Sequence, residues 1–206
     1  MSTLLVLDTS PRQDSVSRHL TQKFVSEWTN KNPDGTVLHQ DIGANPPEHL
    51  DDDLIDALRR SPDSLNQRQS NAVNASNTTI EQLVQADMIV IGAPLHNFTI
   101  TGALRTWIDH VARPGKTFGY GPNGPEGLLK DRPVYVLSSR GGQYGDGDPN
   151  NLHPADFQSG YLRHIFGFMG IQSVNIIAAN GMDMGDESRA AGLDQAEEAI
   201  SSVFAA

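Results

Sequence analysis

The sequence predicts an α/β fold, a parallel sheet with helices on both faces. Three observations carry that expectation. Short apolar runs of five or six residues recur along the chain and alternate with longer stretches of helical periodicity. Those runs are nearly continuous rather than alternating, as strands covered on both faces require. The 206 residues suit one core, because single α/β domains extend to about 200–250 residues. The chain therefore reads as a single domain over 1–206.

The elements follow in order. Thr3–Asp8 is a compact, partly β-branched run closed by a polar loop, and reads as a buried strand. From Val16 to Asn30, Val16, Leu20, Phe24 and Trp28 recur at steps of four, which puts them on one helical face. Thr36–Asp41 reads as a second, more exposed strand. The acidic run Asp51–Asp53 reads as the solvated start of a helix. Leu65–Ala86 reads as a helix started by Pro62-Asp63-Ser64, although its Asn-rich centre is a weak helix former. Met88–Gly92 is the third strand. Thr101–Val111 is a helix with Leu104, Trp107, Ile108 and Val111 on one stripe. Pro133–Ser138 and Val174–Ala179 are the fourth and fifth strands, and Phe157–Met169 and Glu187–Phe204 are the last helices. Trp28 and Trp107 lie on apolar stripes and read as core. Five strands so spaced fit a doubly wound parallel sheet in the flavodoxin-like order 2-1-3-4-5. Two irregular stretches, Val111–Lys130 and Gly141–Asp156, are long enough to read as functional or interfacial.

Composition removes several function classes. With no cysteine there is no disulfide, thiolate zinc site, iron–sulfur cluster or cysteine nucleophile. Fifteen basic residues against 25 acidic give a net charge of −10, a field that opposes nucleic acid and anionic lipid. No apolar run approaches the ~18 residues of a membrane span. Leu4–Leu7 is too short for a signal peptide and lacks a basic flank, so the expected location is the cytoplasm. The seven histidines are scattered without paired ligand spacing, and no metal site is expected. Sequon-like triplets at Asn74, Asn77 and Asn97 read as chance matches. There is no Gly-Lys-Ser/Thr phosphate loop, no glycine-rich dinucleotide fingerprint and no Gly-x-Ser-x-Gly elbow.

In an open parallel sheet ligands bind beyond the carboxyl ends of the strands. That singles out three loops. Thr9–Ser17 ends at a helix start, where Ser10, Ser15 and Ser17 hydroxyls and free backbone N–H groups suit a dianionic phosphate. Arg12 and Arg18 offset charge there. The same serines also read simply as helix caps. Ala93–Gly102 combines apolar and amide groups that suit a planar heterocycle, with Asn97 donating and accepting and Leu95 or Phe98 covering a face. It reads equally as an ordinary strand-to-helix turn with Phe98 in the core. Ser138–Gly142 ends in two glycines, which let backbone approach a ligand closely or form a plain flexible turn.

Taken together, these segments resemble the FMN-dependent NADH azoreductases, also described as NADH:quinone oxidoreductases. The resemblance spans essentially the whole chain. It is carried by Ser10…Ser15-Val16-Ser17, Pro94-Leu-His-Asn-Phe98, Thr117-Phe-Gly-Tyr120 leading into Asn123–Leu128, Ser139-Arg-Gly-Gly142, and Tyr161-Leu-Arg…Gly167-Phe-Met-Gly170, in that order and spacing. It implies that Ser10 and Ser15, Val16 and Ser17 hold the FMN phosphate. It implies that Leu95, His96, Asn97 and Phe98 run along the isoalloxazine ring, and that Ser139, Arg140, Gly141 and Gly142 meet its other edge. Three positions, Leu95, His96 and Tyr144, depart from the family. Its usual Met-Tyr-Asn-Phe turn is Leu95-His96-Asn97-Phe98 here, and Tyr144 stands where a histidine is common.

The resemblance also implies a mechanism and an assembly. NADH passes a hydride to bound FMN, and a quinone or azo compound then takes the electrons at the same face, a ping-pong scheme. No protein nucleophile is required, and water, Tyr144 and His96 are the candidate proton donors. A homodimer is implied, with Phe118 and Tyr120 covering the partner's flavin. The same two side chains also read as cover for this chain's own core. The alternative function is a flavodoxin-like FMN electron carrier that does not oxidise NADH directly.

Overall fold

The computed structural model describes residues 1–58 and 62–205. The elements are β1 (Thr3–Asp8), α1 (Val16–Lys31), β2 (Thr36–Asp41), α2 (Asp52–Ala57), a 3₁₀ turn (Pro62–Ser64), α3 (Gln67–Gln85) and β3 (Met88–Gly92). They continue with α4 (Gly102–Val111), β4 (Phe118–Gly121), β5 (Gly124–Gly127), β6 (Val134–Ser139), α5 (Phe157–Phe168), β7 (Val174–Ala179) and α6 (Asp186–Val203).

The main sheet has the order β2-β1-β3-β6-β7, and every pairing in it is parallel. This is the expected 2-1-3-4-5 order, with β6 and β7 as the fourth and fifth strands. Successive side chains of a strand point to opposite faces, and the two faces carry two cores. Leu4, Val6, Val90 and Leu137 pack with Leu20, Phe24 and Trp28 of α1 and Ala196 and Ile200 of α6. Leu5, Leu7, Ile89, Ile91 and Val136 pack with Leu83 of α3, Trp107 of α4 and Phe166 of α5. Full burial of each Val, Leu, Ile or Phe side chain among them stabilises by about 1.5–3 kcal/mol. Both tryptophans are buried, as their stripes predict.

Two features differ from expectation, the start of α3 and a hairpin inside an irregular stretch. Helix α3 starts at Gln67 rather than at Leu65, because Asn66 and Gln69 form a reciprocal cap: Gln69 N–H donates to Asn66 Oδ1 at 3.0 Å and Asn66 N–H donates to Gln69 Oε1 at 2.9 Å. The Asn-rich centre stays helical because Ala72, Ser76, Ile80 and Leu83 bury one stripe, so packing overrides propensity. Within Val111–Lys130 the chain forms an unexpected antiparallel hairpin, β4–β5, turning at Pro122-Asn123. Its root is clamped to the end of α5. A Cβ on Gly127 would lie 2.2 Å from the Gly170 nitrogen, and Leu129 N–H donates to Met169 O at 2.9 Å. Among the described residues no helix is long and apolar enough to cross a membrane.

Candidate active site

A cleft of about 240 Å³ opens at the carboxyl ends of the strands. Four loops build it. Ser10, Arg12, Asp14, Ser15 and Val16 come from the loop after β1, and Pro94, Leu95 and His96 from the loop after β3. Ser139, Arg140 and Gly141 come from the end of β6, and Met182, Asp183 and Arg189 from the segment after β7. A larger hollow of about 330 Å³ lies beside β2, but its wall is largely apolar and includes Val6, Val25 and Val37. Its polar residues Asp8, Thr21 and His39 are already hydrogen-bonded to one another, and no residue of the three candidate loops lines it.

The first loop ends in an N-cap. Ser15 is extended, with φ −75° and ψ 147°, and its Oγ accepts from Arg18 N–H at 3.4 Å and lies 3.3 Å from Ser17 Oγ. The N–H groups of Val16 and Ser17 belong to the first helical turn and have no intrahelical acceptor. Ser10 Oγ accepts from Arg12 N–H at 3.2 Å, which curls the loop inward. Arg12 lines the cleft in a 3.0 Å ion pair with Asp14, which raises the arginine's pKa and lowers the carboxylate's.

Arg18 departs from the reading that it offsets charge in the loop. It is buried behind the loop, where it donates to Ser10 O at 2.8 Å and to Asp41 at 2.9 Å, with Asp8 at 3.8 Å. The physical reason is local. Arg18 sits on the inward side of α1, facing two carboxylates at the ends of β1 and β2. The Arg18 hydrogen bond holds the Asp41 carboxyl below its ordinary range. A depressed folded-state pKa contributes stability above the unfolded value of about 3.9, and that stability is lost as pH falls through the lower folded value. Below about pH 4 the urea midpoint of the native protein is therefore expected to fall more steeply with pH than that of Asp41→Asn. Parallel profiles would contradict the pairing.

The second loop is strained. Leu95 N–H donates to Ser139 O at 2.9 Å, extending the β3–β6 ladder into the cleft. His96 and Thr99 then exchange two backbone hydrogen bonds of 3.0 Å, with Asn97 at φ 47° and Phe98 at φ 70° between them. Two consecutive left-handed residues make the mirror-image turn that glycine or asparagine normally supplies. Holding a phenylalanine there costs about 1–3 kcal/mol. The turn keeps Phe98 49% exposed, so it is not the core residue that one reading of this loop allowed. Phe98 O accepts from Phe157 N–H at 3.1 Å, which docks the turn on the start of α5.

The third loop is zipped to the segment after β7. Gly181, Met182 and Asp183 donate to the carbonyls of Gly142, Arg140 and Gly141 at 2.9, 2.9 and 3.0 Å. A Cβ on Gly141 would lie 2.5 Å from Asp183 Oδ2, so the bare backbone allows this approach. Arg140 lines the cleft, yet its side chain is fully buried and bonded to Ser138, Ser159 and Asp156. Burial pushes the pKa of that guanidinium down, against the opposing pull of Asp156.

The structure thus brings Ser10, Ser15, Val16, Leu95, His96, Ser139, Arg140 and Gly141 to one cleft. Ser17 lies beneath Ser15, and Asn97, Phe98 and Gly142 follow directly on lining residues. Among the described hydrogen bonds, the N–H groups of Asn97, Phe98, Gly141 and Gly142 meet no protein acceptor, whereas those of Leu95 and His96 already do. Tyr144 stands edge-on to Phe98 at 6.3 Å and to His153 at 5.2 Å. On the β4–β5 hairpin Phe118 is buried against Phe168 at 4.6 Å, while Tyr120 is 75% exposed. The wall formed by Met182, Asp183 and Arg189 was not anticipated. The strand-end rule points to it once the loop after the fifth strand is included. Among the described residues no three His, Cys, Asp or Glu side chains converge as a metal site would need.

Residues 2–204 match the family described as having a flavodoxin-like fold. An FMN-dependent NADH:quinone oxidoreductase of Pseudomonas fluorescens is 41% identical over 204 residues, covering 98% of this chain and 100% of the relative. Another, from a Nostoc species, is 38% identical over 207 residues, covering 100% of this chain and 99% of the relative. The crystal structure of an azoreductase from Bacillus anthracis superposes with a TM-score of 0.82 at 28% identity, covering 98% of this chain and 100% of that one. The chain belongs to the flavodoxin-like fold family, among the FMN-dependent NADH:quinone oxidoreductases and azoreductases.

Proposed function

We propose that the protein is an FMN-dependent NADH:quinone oxidoreductase that also reduces aromatic azo compounds. It works as a single domain on a doubly wound sheet and as a homodimer. The cytoplasm, where NADH is held, is the proposed setting. The observation that carries this reading is the convergence of four strand-end loops on one polar cleft, in a chain alike over nearly its full length to enzymes of that name. The donor set fits FMN. Hydroxyls of Ser10, Ser15 and Ser17 and the free N–H groups at the start of α1 suit a dianion. The unpaired N–H groups of Asn97, Phe98, Gly141 and Gly142 suit the polar edges of a flat ring.

When bound, FMN supplies the two-electron chemistry between NADH and the acceptor. The chain's own residues bind, orient and tune. Leu95–Phe98 and Ser139–Gly142 hold the ring's two edges. Backbone donors fixed before the reaction stabilise negative charge that develops beside them. Tyr144 and His96 are the candidate proton donors to product. NADH and acceptor use the same open face in turn, so double-reciprocal plots of rate against NADH at several fixed quinone concentrations are expected to be parallel. Intersecting lines would contradict the ping-pong scheme.

In the proposed dimer Tyr120 covers the partner's flavin, while Phe118 anchors the hairpin that carries it. Tyr120→Ala is expected to raise the quinone KM several-fold. Stability is expected to change by no more than ~0.5 kcal/mol, the usual range for an exposed site. An unchanged KM would remove Tyr120 from the pocket.

A further inference from the structure

Behind the cleft a chain of buried side chains joins the loops that form it. Gln158, in the first turn of α5, is fully buried. Its Nε2 donates to the carbonyls of Ala93 and Pro94 at 3.1 and 3.3 Å. Its Oε1 accepts from Ser138 Oγ at 2.6 Å. Ser138 Oγ in turn accepts from Arg140 Nε at 3.0 Å. Arg140 then forks. One nitrogen donates to the carbonyls of Tyr144 and Gly145, each at 3.3 Å. The other donates to Ser159 Oγ at 3.0 Å and lies 3.0 Å from Asp156 Oδ2. Arg140 and Asp156 side chains are both 0% exposed.

Every acceptor in this chain belongs to the cleft's framework or to the start of α5. Pro94 immediately precedes the Leu95–Phe98 segment, and Ser138 precedes Ser139–Gly142. Tyr144 carries the ring that meets Phe98. Side chains this buried and this fully bonded have one low-energy arrangement, because leaving any member unpaired costs about 1–3 kcal/mol. A displacement of the Gln158 amide therefore moves both ring-gripping loops together.

We propose that Gln158 and Arg140 are positioning residues, which reach no ligand with their side chains but set the separation and tilt of the two loops that hold the flavin ring. This assigns the Arg140 side chain a role distinct from a cofactor contact, and it gives Gln158, Ser138 and Asp156 a role. The inference rests on the FMN reading above.

The test is FMN affinity by quenching of flavin fluorescence, measured beside the melting temperature and the visible spectrum of the bound flavin. Gln158→Met keeps volume and removes the bridge. It is expected to raise the FMN Kd at least tenfold and to alter the shape of the flavin band. Ser138→Ala, the smallest change that breaks the link between Gln158 and Arg140, is expected to raise it at least threefold. Leu162→Ala, also on α5 but packed in the sheet core, is expected to lower the melting temperature while leaving Kd within twofold. Unchanged Kd in either cleft-side variant overturns the proposal. So does a Leu162→Ala rise as large as that of Gln158→Met, since the effect would then be general destabilisation. Failure of the unaltered protein to bind FMN overturns the functional reading instead, and is read in the same titration.

Discussion

Gly43→Ala is expected to lose tight FMN binding. Gly43 packs under the loop after β1, with its N–H donating to Asp8 O at 2.9 Å. A Cβ there would lie 2.0 Å from Ser10 O and 2.5 Å from the Ser10 carbonyl carbon. Neither atom is the free end of a flexible side chain, so the clash can be relieved only by moving backbone. The backbone that must move carries Ser10, the first hydroxyl of the proposed phosphate site. Overpacking of this kind costs about 1–3 kcal/mol, and 1.4 kcal/mol is about tenfold in affinity. The FMN Kd is expected to rise between about tenfold and a hundredfold, read by fluorescence quenching. A Kd and melting temperature equal to those of the unaltered protein would show that the loop does not depend on this approach.

Arg18→Met is expected to have the largest effect on stability. Its guanidinium balances Asp8, whose side chain is 8% exposed, and Asp41, whose side chain is 26% exposed. Asp8 has two further partners, Thr21 Oγ1 at 2.7 Å and His39 Nε2 at 2.8 Å, but the arginine is the only permanent cation beside the pair among the described residues. Removing one member of a buried ion pair strands the remaining charge and costs about 3–5 kcal/mol. At about 2–4 °C per kcal/mol for a chain of this size, the melting temperature is expected to fall by about 6–20 °C. The double variant Arg18→Met/Asp41→Asn is expected to recover part of that loss. A fall of only a degree or two would mean that Asp8 and Asp41 are already solvated.

The strands were legible because their signal is local. Thr3–Asp8, Thr36–Asp41, Met88–Gly92 and Val174–Ala179 keep the expected boundaries; all but the more exposed Thr36–Asp41 are mainly apolar runs between polar turns. That the three loops would meet in one cleft was legible for a different reason: an open parallel sheet gathers these loops beyond the carboxyl ends of its strands. What escaped was non-local. Nothing near Arg18 or Arg140 announces that one will bury itself against Asp41 and the other against Asp156. The β4–β5 hairpin is too short and glycine-rich to show strand periodicity, and it is held by contact with Gly170 rather than by propensity. The left-handed Asn97-Phe98 turn escaped because phenylalanine disfavours that conformation. Only the surrounding ladder and the bond from Phe157 impose it.

The most direct test of the central claim is an anaerobic titration of the FMN-loaded protein with NADH, following the visible band of the oxidised flavin. Rapid bleaching at one NADH per flavin is the expected result. Bound flavin that NADH leaves unbleached would contradict the oxidoreductase reading and favour an electron carrier that draws on another protein for its electrons.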